Sequence, residues 1–136
     1  MMPNWFNRSR ITLLSRVALA GFWIAIFTAT HMPISTTIGP PDCGDKIAHF
    51  SGYLILAFLL ATTWQLAGGI LTRRHLVFVW LAVIAYGAFD EVTQIPVGRD
   101  CEFLDWVADA AGAATGLLLF VAARHVIARW FDLNEE

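Results

Sequence analysis

The chain has 136 residues, 57% of them hydrophobic and only 15% charged, with six Trp and ten Phe. Water-soluble domains carry about 25% charged residues, so this composition excludes an ordinary soluble fold and points to burial in a membrane. The formal net charge of −2, with no basic stripe along the sequence, excludes the electrostatic footprint of a nucleic-acid-binding protein.

The N-terminal segment through Arg16 holds Arg8, Arg10 and Arg16 and no acid. An apolar run follows to Ile34, and a first helix is expected over 11–34. A basic start before an apolar run also fits a signal peptide. No A-x-A-like site follows it, so the helix is expected to be retained. Pro33 and the Gly39-Pro40-Pro41 cluster end this helix and open a loop to Gly44.

Asp45 stands where an N-cap is expected, and the second helix is predicted over 45–67, closed by Gly68-Gly69. Arg73, Arg74 and His75 form a basic connector to a third helix over 75–95. Leu76 to Phe89 are fourteen residues without a charge. They span only about 21 Å against a hydrocarbon core of roughly 30 Å. This helix must therefore continue through Asp90, Glu91 and Gln94 to cross, before Pro96 and Gly98 release the chain. The fourth helix is predicted over 104–125.

These runs predict an all-α membrane protein: one domain over 1–136, with four transmembrane helices in an antiparallel bundle. Arg8, Arg10, Arg16, Arg73, Arg74, Arg124 and Arg129 fall on one side, and only Lys46 and Arg99 on the other. The positive-inside rule then makes both termini and the middle connector cytoplasmic, in the cytoplasmic (inner) membrane, with loops 33–46 and 95–104 facing outward. Eight of the eleven acids lie at the outer end: Asp42, Asp45, Asp90, Glu91, Asp100, Glu102, Asp105 and Asp109. Trp5, Trp64, Trp106 and Trp130 fall near the expected interfaces.

Depth along each helix is informative. His31 lies fifteen residues beyond Arg16, Tyr53 fifteen before Gly68, Asp109 fifteen before Arg124, and Glu91 seventeen beyond Arg74. At about 1.5 Å per residue, all four helices bring a polar group to about 22–26 Å from the inner surface. Helical faces agree with this level. Asp45, His49 and Tyr53 share one side of the second helix by their i, i+4, i+8 spacing. Asp90, Glu91 and Gln94 share an arc of the third. Asp105, Asp109, Gly112 and Gly116 form a stripe on the fourth, where the glycines allow close backbone approach.

A carboxylate at the depth of Glu91 must pair, bind a cation, face water or take up a proton. A purely structural reading is an internal network of Glu91–Arg99, His49 with Asp45 or Asp109, and Gln94 as a bridge. The functional reading is an outward-facing pocket with Asp45, Lys46, His49, Tyr53, Glu91, Gln94, Arg99, Asp105 and Asp109 as its ligand-binding residues. His31, His49, Glu91 and Asp109 are metal-ligand types, but no tight motif such as H-E-x-x-H occurs, and neither a metal nor another cofactor is expected. A nucleophile elbow of the G-x-S-x-G kind is missing. Three activities stay open: binding an envelope ligand or lipid headgroup, His–carboxylate acid–base chemistry on a lipid-linked envelope precursor, and proton-coupled transport. Cys43 and Cys101 both fall in the outer loops, where a bridge between them would close the loops over the site and stabilise by about 4 kcal/mol.

Three ordered motifs carry a family resemblance. Asp45-Lys46-Ile47-Ala48-His49-Phe50 with Tyr53 resembles the D-K-x-x-H-F-x-x-Y opening of VanZ-like membrane proteins. Glu91-x-x-Gln94 followed by Pro96 and Arg99 is similar to that family's E-x-x-Q…P-x-R segment. Asp105, Asp109, Gly112 and Gly116 resemble its D-x-x-x-N-x-x-G-x-x-x-G, with Asp109 where the family usually has Asn. The resemblance covers about residues 20–122. It implies a small multi-spanning membrane protein with an envelope role of the teicoplanin-resistance type, whose partners would be membrane lipid and a lipid-linked cell-wall precursor or glycopeptide. It supplies no mechanism and leaves open whether the protein is an enzyme.

Overall fold

The computed structural model describes residues 4–32, 43–99 and 101–130, with backbone alone at 4–7, 43 and 127–130. Among these residues the chain forms four α-helices: α1 (Asn4–His31), α2 (Cys43–Gly68), α3 (Arg73–Gln94) and α4 (Phe103–Trp130), with a 3-10 turn over Ile95–Val97. All four contain a stretch long and apolar enough to cross a membrane: Arg8–His31, Gly44–Gly68, Arg73–Val97 and Phe103–Val126. The expected stop at Pro33, the Gly39–Pro41 loop, Asp42, Asp100 and the side chains of Trp5, Cys43 and Trp130 lie outside the described residues.

Local chemistry explains the boundaries. Gly69 takes φ +85° after α2, and its N–H donates to the Gln65 carbonyl at 2.9 Å. A left-handed residue there satisfies an orphan carbonyl that a side chain would strain to reach. Thr72 caps α3: its hydroxyl accepts from the His75 N–H, and the His75 ring accepts from the Thr72 N–H at 3.2 Å. At the far end Gly98, at φ +80°, turns the chain back, and the Arg99 N–H donates to the Gln94 carbonyl at 3.2 Å. The end of α3 therefore points Arg99 at the neighbouring helices.

Two boundary expectations are corrected. Both terminal helices overrun their apolar runs, α1 starting at Asn4 and α4 ending at Trp130. Arg8, Arg10, Arg124 and Arg129 are good helix formers, and charge limits the membrane span rather than the helix. Asp45 is not the N-cap of α2, because that helix begins at Cys43. It stands in the first turn, still favoured by the helix dipole, and its carboxylate is engaged by Arg99 instead.

The packing is centred on α2 and α4. A Cβ on Gly112 would collide with the Phe50 carbonyl, and one on Gly116 with that of Leu54. The two missing side chains let the backbones touch. Helix α1 docks on α2 and α3 on α4. Their shared core holds Tyr53, Leu56, Ala57, Ala61, Val79, Val83, Ala113 and Phe120. At the Arg16 end of α1, the Thr12 hydroxyl donates to the Leu66 carbonyl and Thr63 to that of Ser15.

The polarity of the molecule is inverted relative to a soluble protein. His49, Asp90, Gln94 and Asp109 are among its most buried side chains, while Leu118 is 71% exposed and Phe78 61%. An apolar exterior around a polar interior suits lipid, which solvates leucine well and carboxylates badly. This is a multi-pass membrane protein.

Candidate functional site

Helices α2, α3 and α4 each send ionisable side chains to one place near the Arg99 end of the bundle. At its centre His49 of α2 shares a 2.9 Å hydrogen bond, through Nδ1, with Oδ1 of Asp109 on α4. The same nitrogen lies 3.7 Å from Oε1 of Glu91 on α3. The other Glu91 oxygen accepts a 3.0 Å hydrogen bond from the Glu102 backbone N–H, which pins α3 to the start of α4. Tyr53, one turn below His49, stacks beneath its ring at 6.4 Å between centroids and 10° between planes. Gly87 makes room for this arrangement. A Cβ there would come within 2.9 Å of Asp109 Oδ2 and 3.2 Å of Tyr53 Cε1.

Two ion pairs close the rim above these groups. Arg99 Nη2 donates to both Asp45 oxygens, at 2.9 and 2.7 Å, while Nη1 reaches the Met32 carbonyl at 3.4 Å. Lys46 donates to Glu102 at 3.0 Å and stands 3.5 Å from Asp105 Oδ1. Both pairs are partly exposed, whereas the carboxylates of Glu91, Asp105 and Asp109 beneath them are at most 4% exposed.

The geometry thus brings together eight of the nine residues expected to line the site: Asp45, Lys46, His49, Tyr53, Glu91, Arg99, Asp105 and Asp109. Tyr53, Glu91 and Asp109 are all buried, Glu91 and Asp109 beside the His49 ring and Tyr53 one turn further along α2. The pairing differs from the expected network. Arg99 engages Asp45 rather than Glu91, because the Gly98 turn aims its guanidinium across the rim toward α2. Of the two partners expected for His49, the structure selects Asp109. Gln94 is buried but does not bridge, since its Nε2 has no hydrogen-bond partner. Cys101 carries a free, exposed thiol. The Cys43 side chain lies outside the described residues, so a bridge between the two stays a proposal.

A second polar cluster escaped the sequence list. Asp90, adjacent to Glu91, is rotated about 100° around α3 and faces α1. There it accepts a 3.2 Å hydrogen bond from Thr30 and lies 3.8 Å from His31 Nδ1. His31 Nε2 reaches Thr93 Oγ1 at 3.0 Å, which places His31 in this cluster and not beside His49. Tyr86 stacks on Tyr53, with centroids 6.0 Å apart, and meets Trp23 edge to face at 5.0 Å. The i, i+4 spacing of Tyr86 and Asp90 was a usable signal for it.

Several buried polar atoms of the first cluster lack a hydrogen-bond partner: His49 Nε2, Glu91 Oε1, Asp105 Oδ1 and Asp109 Oδ2. Such groups are costly to leave unpaired, and Glu91 Oε1 among them faces the His49 ring. The arrangement is chemically suited to three things: holding a cation, binding a polar headgroup, and moving a proton through the His49–Asp109 pair.

No curated protein and no solved structure matches the chain. Residues 2–125, most of its length and all three resembling motifs, match the VanZ/LLP1 family, and the chain belongs to that family.

Proposed function

We propose that this VanZ/LLP1 protein serves the cell envelope from the cytoplasmic membrane by binding a polar envelope ligand at the His49 end of its bundle. On this reading the termini are cytoplasmic, the rim faces outward, and the ligand is a lipid-linked cell-wall precursor or a glycopeptide. The observation that carries the proposal is the layered charge: buried carboxylates and an imidazole from three helices lie under two partly exposed ion pairs. Partly exposed pairs contribute only about 0–1 kcal/mol each, so a ligand bringing its own phosphate or carboxylate can take over Arg99 and Lys46. Opening them uncovers the carboxylates below, which suit a ligand amine. Membrane lipid covers the apolar exterior.

The test is binding of a lipid-linked precursor to the protein in nanodiscs, with teicoplanin susceptibility of the host as a second readout. Arg99→Gln and Lys46→Gln are each expected to weaken binding at least about tenfold, the loss of one charge-assisted contact. Undiminished binding in both variants would overturn the proposal.

One observation favours a second reading. The 2.9 Å His49–Asp109 hydrogen bond is the geometry by which a carboxylate orients an imidazole for acid–base catalysis. Glu91→Gln separates the two. A binding site keeps part of its activity, because an amide still accepts hydrogen bonds, whereas acid–base chemistry through Glu91 is lost nearly completely.

A further inference from the structure

We infer that His49, Glu91 and Asp109 form a binding site for a divalent transition-metal ion of the Zn2+ or Mn2+ class. The three residues come from α2, α3 and α4, and each offers a ligand atom within 4.8 Å of the other two. His49 Nδ1 stands 2.9 Å from Asp109 Oδ1 and 3.7 Å from Glu91 Oε1. An ion with bonds of about 2.0–2.2 Å holds neighbouring donors about 3–3.5 Å apart, so these separations need shifts of only a few tenths of an ångström. A sequence motif could not reveal the site, because each helix supplies a single ligand.

Two independent observations point to a cation rather than to a closed network. The first is an unanswered acceptor. Glu91 is 3% exposed, yet its Oε1 has no hydrogen-bond partner and is directed at His49 Nδ1. Asp109 Oδ2, on the fully buried neighbour, is likewise unpartnered.

The second observation is the distribution of fixed charge. His49 belongs also to a second trio, with Asp45 and Asp105. In that trio Asp45 is held by Arg99, and Asp105 lies beside Lys46. Among the described residues the inner trio has no such cation. A bound metal requires both carboxylates ionised and the imidazole neutral, a set carrying −2 that a divalent ion cancels. Burial makes that cancellation valuable, since isolated charges in a low-dielectric interior are strongly disfavoured.

The donor set narrows the ion. Imidazole suits Zn2+, Fe2+ and Cu2+, and carboxylates suit Mg2+ and Mn2+. A mixed set of one nitrogen and two oxygens fits Zn2+ or Mn2+ better than an all-oxygen Ca2+ site or a thiolate Cu+ site. Three protein ligands leave coordination positions open, where water or an anionic oxygen of a ligand can enter. The inference does not depend on the identity of any envelope ligand.

The experiment uses the full chain purified in detergent, with any affinity tag removed, stripped by a chelator and equilibrated with Zn2+ alone. Metal per chain is then measured by mass spectrometry, and Co2+ is substituted for optical spectroscopy. A single tightly held ion is expected in the unaltered chain and in Cys101→Ser, which controls for the nearby exposed thiol. Glu91→Gln and Asp109→Asn, each checked for helix content and monodispersity, are expected to weaken binding by more than about 10-fold. Should either variant fail to fold, the Co2+ spectrum of the unaltered chain decides: nitrogen–oxygen coordination supports the site, and a thiolate charge-transfer band overturns it. Failure of the unaltered chain to retain metal, undiminished binding in both carboxylate variants, or loss of binding in Cys101→Ser would each overturn the inference. Loss of precursor binding with metal uptake intact would instead count against the ligand reading alone.

Discussion

His49 on α2 and Asp109 on α4, sixty residues apart in sequence, meet in a 2.9 Å hydrogen bond at the centre of the polar site. Neither side chain is more than 2% exposed. The pair therefore reports on whether this interior is built for hydrogen bonding or for charge. Asp109→Asn keeps an acceptor toward His49 Nδ1, and the protein is expected to lose no more than about 1.5 kcal/mol of stability. Asp109→Leu leaves the buried imidazole without its acceptor, with an expected loss of up to about 3 kcal/mol. Thermal unfolding in detergent, with both variants side by side, checks the contrast. Equal losses would mean that the hydrogen bond contributes little.

The contact between α2 and α4 depends on two absent side chains. Gly112→Ala and Gly116→Ala each drive a methyl group into a backbone carbonyl of the facing helix. Each is expected to cost about 1–3 kcal/mol, because a helix axis must move where a flexible side chain could have yielded. A lowered unfolding temperature in each variant, larger still in the pair, is the expected result. Gly21→Ala serves as the control, since a Cβ there meets nothing within 4 Å.

Arg99 and Asp45 tie the loop after α3 to the first turn of α2. A double-mutant cycle with Arg99→Gln and Asp45→Asn is expected to give a coupling of about 1 kcal/mol, falling with added salt, as suits a partly exposed pair. Arg99→Lys should recover only part of it, because a single ammonium nitrogen cannot reach the Met32 carbonyl while holding both Asp45 oxygens, as Nη1 and Nη2 do together.

Cys101 offers a probe of both orientation and environment. Desolvation by the surrounding protein, and then the neighbouring Glu91 carboxylate, push its thiol above the ordinary cysteine range. Since the thiolate is the reactive form, alkylation should be slow at neutral pH and accelerate as pH rises through that elevated value. Glu91→Gln removes one cause and should shift the rate profile toward lower pH. With the rim facing outward, a membrane-impermeant maleimide labels Cys101 in intact cells. Labelling confined to permeabilised cells would reverse the proposed orientation. A bridge to Cys43 would make labelling depend on prior reduction, and labelling without reductant eliminates that bridge.

The sequence by itself determined the four spans, because runs of apolar residues between Gly, Pro and Arg punctuation have few other stable solutions in a membrane. It also placed the polar groups toward one end of the bundle, since rise per residue converts sequence position into position along a helix. The glycine stripe on α4 was equally legible, and it packs as its spacing required. The partners were decided only by the tertiary structure. Asp90 and Glu91 are neighbours in sequence yet serve different clusters, because one residue step turns the side chain about 100° around α3. Arg99 could have met Glu91, but the left-handed turn at Gly98 carried it to Asp45. His49 settled on Asp109 because the close approach at Gly112 and Gly116 fixes how α2 and α4 are rotated against each other. Depth and face belong to each helix alone; which atoms touch depends on the rotation and separation of several helices at once, and that information resides in their packing.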